Sequence, residues 1–100
     1  MLNVFKKNKG EITPTLIKST IESEFNAEFY AQKYTFLKTN DYLIHFVEKG
    51  WKEGLDPCEW FSTSKYLQAY PDVAASGVNP FFHYLYYGKA EGRNEGLVGA

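Results

Sequence analysis

The chain has two histidines, His45 and His83. Each is followed five residues later by a glycine (Gly50, Gly88) and eight residues later by a glutamate (Glu53, Glu91). The two rings could be ligands for a shared metal, since a neutral imidazole suits zinc, or for a sugar hydroxyl. Zinc wants three or four ligands, and no second His or Cys lies at ligand spacing from either ring. Glu53 and Glu91 have the residue type of the carboxylate pair that hydrolyses glycosidic bonds. The competing reading is structural. Each histidine would donate to a backbone carbonyl near the turn that follows it. Each glutamate would accept amides within its own turn or pair with a neighbouring cation. Recurrence favours this reading, because a structural role returns once per repeat. We therefore expect no catalytic residue, no metal ligand and no cofactor. His45, His83, Gly50, Gly88, Glu53, Glu91, Gly54 and Gly92 are expected to be structural positions.

Other groups fall the same way. Asp41, Asp56, Asp72 and Asn79 match no EF-hand spacing and suit helix caps and turns. Cys58 has no sequence neighbour that would make it a nucleophile. No Walker loop, dinucleotide fingerprint, Gly-x-Ser-x-Gly or His-Glu-x-x-His is present. The remaining chemistry is aromatic. Trp51, Trp60, Tyr42, Tyr86 and Tyr87 are candidates for a surface that stacks on sugar rings or meets a protein. Trp51, directly after a helix-ending glycine, is the one expected to be partly exposed.

These residues sit in a sequence that says nearly the same thing twice. Phe25, Tyr30, Gln32 and Tyr34 recur as Phe61, Tyr66, Gln68 and Tyr70 at an offset of 36, and His45, Gly50, Glu53 and Gly54 recur as His83, Gly88, Glu91 and Gly92 at an offset of 38. The second copy has gained two residues between Tyr70 and His83. Such a period marks a repeat array. Thr13-Pro14 opens a first helix expected to reach about Glu24, with Leu16, Ile17, Thr20 and Ile21 on one face. Asn26 and Ser62 cap the first helix of each repeat, expected to be long, and the Tyr pairs four apart share its face. Pro71 ends that helix in the second copy. Asp72 then caps a short turn over Val73-Ala74-Ala75, which Gly77 closes in a left-handed conformation. Asn40-Asp41 and Asn79-Pro80 open the last helices, which run to Lys49 and Tyr87. Gly50 and Gly88 are expected as their C-caps. Gly54 and Gly92 are expected to allow positive φ or close backbone approach.

Composition narrows the function. Aromatic residues make up 18% of the 100 residues, enough to give a short chain a core. The net charge is −1 with both signs interspersed, which excludes a basic field for nucleic acid. The single Cys58 forbids an internal disulfide and fits a reducing compartment. No apolar run is long enough to span a bilayer, and the start is no secretory signal. The expected location is cytoplasmic, with the inner face of the membrane as an alternative. Residues 1–11 read as a basic tail in which residues 1–9 offer a minor membrane contact, 12–24 as a cap helix, 25–60 and 61–95 as the repeats, and 96–100 as a free tail or linker.

The second copy resembles a bacterial tandem repeat of the pattern F-D-x-x-Y-Y-L, P-D-V-x-x-x-G-x-N-P-L-x-H-Y, G-x-x-E-G-R. The residues that carry the likeness are Phe61 to Leu67, Pro71-Asp72-Val73, Gly77 to Pro80, His83-Tyr84 and Gly88 to Arg93. The first copy lacks Pro-Asp-Val, has Asp41-Tyr42 in place of Asn79-Pro80, and has Leu55 in place of Arg93. Repeats of this kind flank glycosyltransferase domains in bacterial surface-polysaccharide synthesis proteins and occur in large secreted proteins. The family has no catalytic residues to carry over. The resemblance implies a non-catalytic accessory module of a bacterial cell-surface polysaccharide glycosyltransferase, working through protein or glycan contacts. A homo-oligomerisation module and a carbohydrate-binding module are the alternatives. The expected fold is all-α: a cap helix and two stacked helical repeats of about 36–38 residues.

Overall fold

The computed structural model describes residues 11–98. The basic tail, with the membrane contact expected of residues 1–9, lies outside the described residues except for Glu11. So does the end of the expected linker, at residues 99 and 100. The chain is all-α. Helix α1 spans Pro14–Glu22, α2 Ala27–Lys33, α3 Tyr42–Glu48, α4 Thr63–Ala69, α5 Pro71–Ser76 and α6 Pro80–His83. A 3₁₀ turn covers Gly50–Glu53, and a π-helical turn, Tyr84–Gly88, continues α6.

The helix starts follow from local chemistry. The side chains of Thr13, Asn26, Asp41 and Ser62 each accept the amide three residues on, and Asn79 Oδ1 accepts those of both Phe81 and Phe82. Each such cap satisfies a donor that the helix itself leaves unpaired. Asn79 is buried, whereas its counterpart Asp41 is exposed. A buried carboxylate would carry a heavy desolvation cost, so an amide caps the interior helix, although its Nδ2 finds no partner among the described residues.

The helices are shorter than expected. The first helix of each repeat has seven residues, not a long run, because its C-terminal tyrosine (Tyr34, Tyr70) leaves helical geometry. α1 stops at Glu22. Pro71 does more than end α4. It takes the first position of α5, a six-residue helix rather than one turn, where its missing amide costs nothing. Gly77 closes α5 at φ 76°. The first repeat has only a turn at Thr35-Phe36 in this place.

The core is aromatic. Ile21, Tyr30, Phe46, Tyr66, Phe81 and Phe82 are fully buried. Burying each such side chain contributes on the order of 1.5–3 kcal/mol. Phe81 joins the repeats, with its ring 6.2 Å from Phe46 on one side and 4.8 Å from Phe61 on the other. α1 packs on α3 and α6, one helix from each repeat. Each repeat is also closed on itself. The Asn26 amide donates to the Pro57 carbonyl at 3.0 Å, and the Ser62 amide to the Gly96 carbonyl at 2.7 Å. Residues 96–98 are therefore tied down, in contrast to the free tail expected there. Val98 donates to the Trp60 carbonyl at 2.9 Å, and Leu97 bridges to Phe61.

Candidate functional site

Each histidine meets a tyrosine hydroxyl. Tyr30 Oη lies 2.8 Å from His45 Nδ1, and Tyr66 Oη lies 2.9 Å from His83 Nδ1. The expected backbone-carbonyl partner gives way to the buried phenol that α2 or α4 presents. Burial holds both phenols well above the usual tyrosine range, so they stay protonated. Burial, and then the nearby Arg93 charge, push His83 below the usual imidazole range, so it is neutral at pH 7. No other acceptor among the described residues reaches Tyr66 Oη, so it donates to Nδ1. The proton of the His83 ring is then on Nε2.

The glycines complete this latch. Gly50 and Gly88 do not cap the preceding helices in a left-handed conformation; neither has positive φ. They are glycines because the tyrosine hydroxyl rests where a Cβ would be. An α-helix would not put residues five apart on one face. The second repeat does so with its π turn, closed by Lys89 N–H donating to Tyr84 O at 2.7 Å, which sets Gly88 beneath His83. The first repeat reaches the same contact by breaking α3 at Lys49 (φ −131°). Left-handed backbone falls on Gly54 and Gly92, at φ 80° and 76°.

The second tyrosine of each pair also bonds. Tyr34 Oη accepts the Asp56 amide at 2.8 Å, and Tyr70 Oη accepts the Glu95 amide at 3.2 Å. Asp56 Oδ1 in turn accepts the Thr63 amide, and Thr63 Oγ1 donates to Leu55 O, joining the repeats. Glu91 pairs with Arg93 at 2.9 Å, and Arg93 reaches Asp72 at 3.0 Å while stacking on Tyr70. Arg93 thus links the Pro-Asp-Val and Glu-Gly-Arg segments. In the first copy Leu55 stands for Arg93 and no Asp72 counterpart exists, so two of its three departures from the repeat pattern are one loss. Glu53 is exposed on its own turn.

The aromatic candidates are dispersed. Trp60 packs against Phe61, Phe81 and Tyr84, and Tyr42 against Tyr30. Trp51 is half-buried, lining a groove of about 380 Å³ with Val47, Val78 and Asn79, while the Lys52 ammonium lies 5.8 Å from its ring. Only Tyr86 and Tyr87 among the five touch one another, with centroids 4.9 Å apart. Phe36, at 67% exposure, and Tyr86, at 45%, are more open than Trp51. Cys58 is buried, with its thiol pushed up to about 11, mainly by desolvation.

Among the described residues no three His, Cys, Asp or Glu side chains gather as metal ligands would. No helix among them is long and apolar enough to cross a membrane.

By architecture, then, this is an all-α protein of two related helical repeats under a cap helix. Comparison with protein-family models, with curated proteins and with solved structures found no match.

Proposed function

We propose that the chain is a non-catalytic accessory module of a bacterial cell-surface polysaccharide glycosyltransferase, acting through protein or glycan contacts. The observation that carries the non-catalytic reading is the fate of the recurring polar groups. His45 and His83 are held by Tyr30 and Tyr66, and Glu91 is held by Arg93. Groups engaged once per repeat in shaping the fold are not poised to attack a substrate. The glycosyltransferase association rests on the repeat pattern of residues 61–93. A cytoplasmic place of action, with the inner membrane face as the alternative, fits that association and the lone buried Cys58.

Sedimentation equilibrium over a wide concentration range, with and without bacterial surface oligosaccharides, tests the reading. Either a concentration-dependent mass or a saturable Trp fluorescence change with one glycan is the expected contact. Turnover of a nucleotide-sugar or glycoside by the isolated chain would overturn it.

A further inference from the structure

What occurs in both copies is needed to build a repeat. What occurs in one copy is free to serve something else. The second repeat holds a cleft of about 550 Å³ between the end of α5 and the Gly88–Arg93 turn, lined by His83, Tyr87, Val78, Asp72, Glu91 and Arg93 among others. That volume lies within the usual range of small-molecule sites. Of these groups, His83 and Glu91 recur as His45 and Glu53. Tyr87 and Arg93 are replaced by Lys49 and Leu55, and Asp72 has no counterpart.

The chemistry of the walls selects the ligand. Arg93 lies between Asp72 Oδ1 and Glu91 Oε1, so its charge is already answered and a second carboxylate remains in excess. An anion such as phosphate is disfavoured there. The two carboxylates keep 63% and 50% of their side-chain surface exposed, and can accept further hydrogen bonds. Because Tyr66 occupies Nδ1, His83 offers an Nε2–H donor from a half-buried ring. Tyr87, its ring centroid 5.6 Å from that of His83, and Val78 supply an apolar wall. Carboxylate acceptors, one neutral donor and an aromatic wall match vicinal hydroxyls and a C–H face.

We infer that this cleft is a binding site for a single neutral pyranose unit of a glycan, present in the second repeat and absent from the first. The inference rests on the accessory-module reading and assigns its glycan contact to one place.

The two histidines provide the test, since they share one latch and differ in the cleft. Imidazole resonances of labelled protein are followed by NMR on adding methyl glucoside, methyl galactoside or methyl N-acetylglucosaminide to about 50 mM, a range that detects millimolar affinity. At least one glycoside is expected to shift His83 saturably and leave His45 in place. Tyr87→Ala and Asp72→Asn are each expected to weaken that binding about tenfold, with the sugar-free His83 resonance showing whether the latch persists. No saturable His83 shift with any of the three, equal shifts at both rings, or a saturable response to inorganic phosphate would overturn the inference. A silent His83 alongside a concentration-dependent mass would remove this site and leave the accessory-module reading standing on protein contact.

Discussion

Gly88→Ala is the sharpest probe of the latch. In an ordinary exposed helix this change would stabilise by up to about 1 kcal/mol through helix propensity. Here the new Cβ would collide with Tyr66 Oη, and Tyr66 is fully buried with its hydroxyl bound to His83. Overpacking costs about 1–3 kcal/mol. Pushing the hydroxyl off His83 leaves buried polar atoms unpaired, at about 1–3 kcal/mol. After the propensity gain the expected loss centres on about 3 kcal/mol, or about 12–24 °C in Tm for a domain of this size. Chemical denaturation with an unchanged m-value measures it. The decisive arm is the double variant. Tyr66 Cζ would lie 3.4 Å from the new Cβ, an ordinary contact, so removing the oxygen removes the clash. Tyr66→Phe alone is expected to cost about 1–3 kcal/mol, and adding Gly88→Ala to it to change stability by less than about 1 kcal/mol. A stable Gly88→Ala variant, or a double variant as damaged as the sum of the singles, would refute the account of why glycine stands there. The Gly50→Ala and Tyr30→Phe pair repeats the experiment in the first copy, where Cζ would be 3.3 Å away.

Three further outcomes follow from the structure. His83 is held below 6.5 chiefly by burial, then by Arg93, with Glu91 and Asp72 opposing. Its neutral form is thus favoured on folding. That contribution is full above the unfolded pKa of about 6.5 and is lost as pH falls from there to the folded value; an imidazole titration midpoint above 6.5 would contradict it. Arg93→Leu combined with Asp72→Asn should destabilise less than the separate effects added, since both remove one link, and thermal melts of the cycle decide this. Cys58, buried with a thiol pushed up to about 11, should resist an aromatic disulfide reagent at pH 8 in the folded protein and react at once in denaturant.

The parts of this structure legible in the sequence are the ones decided within four residues. Thr13, Asn26, Asp41, Ser62 and Asn79 cap helices because their side chains reach amides two or three places on, and Gly54, Gly77 and Gly92 turn left-handed for local steric reasons. The role of Gly50 and Gly88 was not legible, because it depends on a phenol twenty or more residues earlier. A trace of it was present. Tyr, His and Gly return together in both copies, although two residues have entered between Tyr and His in the second. Three residue types that keep company across an insertion are held together in space. The short first helices were hidden for another reason. Tyr34 and Tyr70 continue the helical spacing, yet each spends its hydroxyl on the amide of a residue leading out of its own repeat, and the backbone turns away there. The cleft was also out of reach, since Asp72 and Arg93 meet only when α5 exists as a helix.

The closing bonds from Asn26 to Pro57 and from Ser62 to Gly96 give the molecule a mechanical character. They lie in series along the polypeptide, each holding shut a loop of its own. A pull from the N-terminal side first strips α1, which packs on both repeats, and only then loads these clasps. When one opens, some thirty residues are freed, releasing slack on the order of 100 Å. Because α1 and Phe81 join the repeats, the slack released from one clasp also loosens the core it shares with the other.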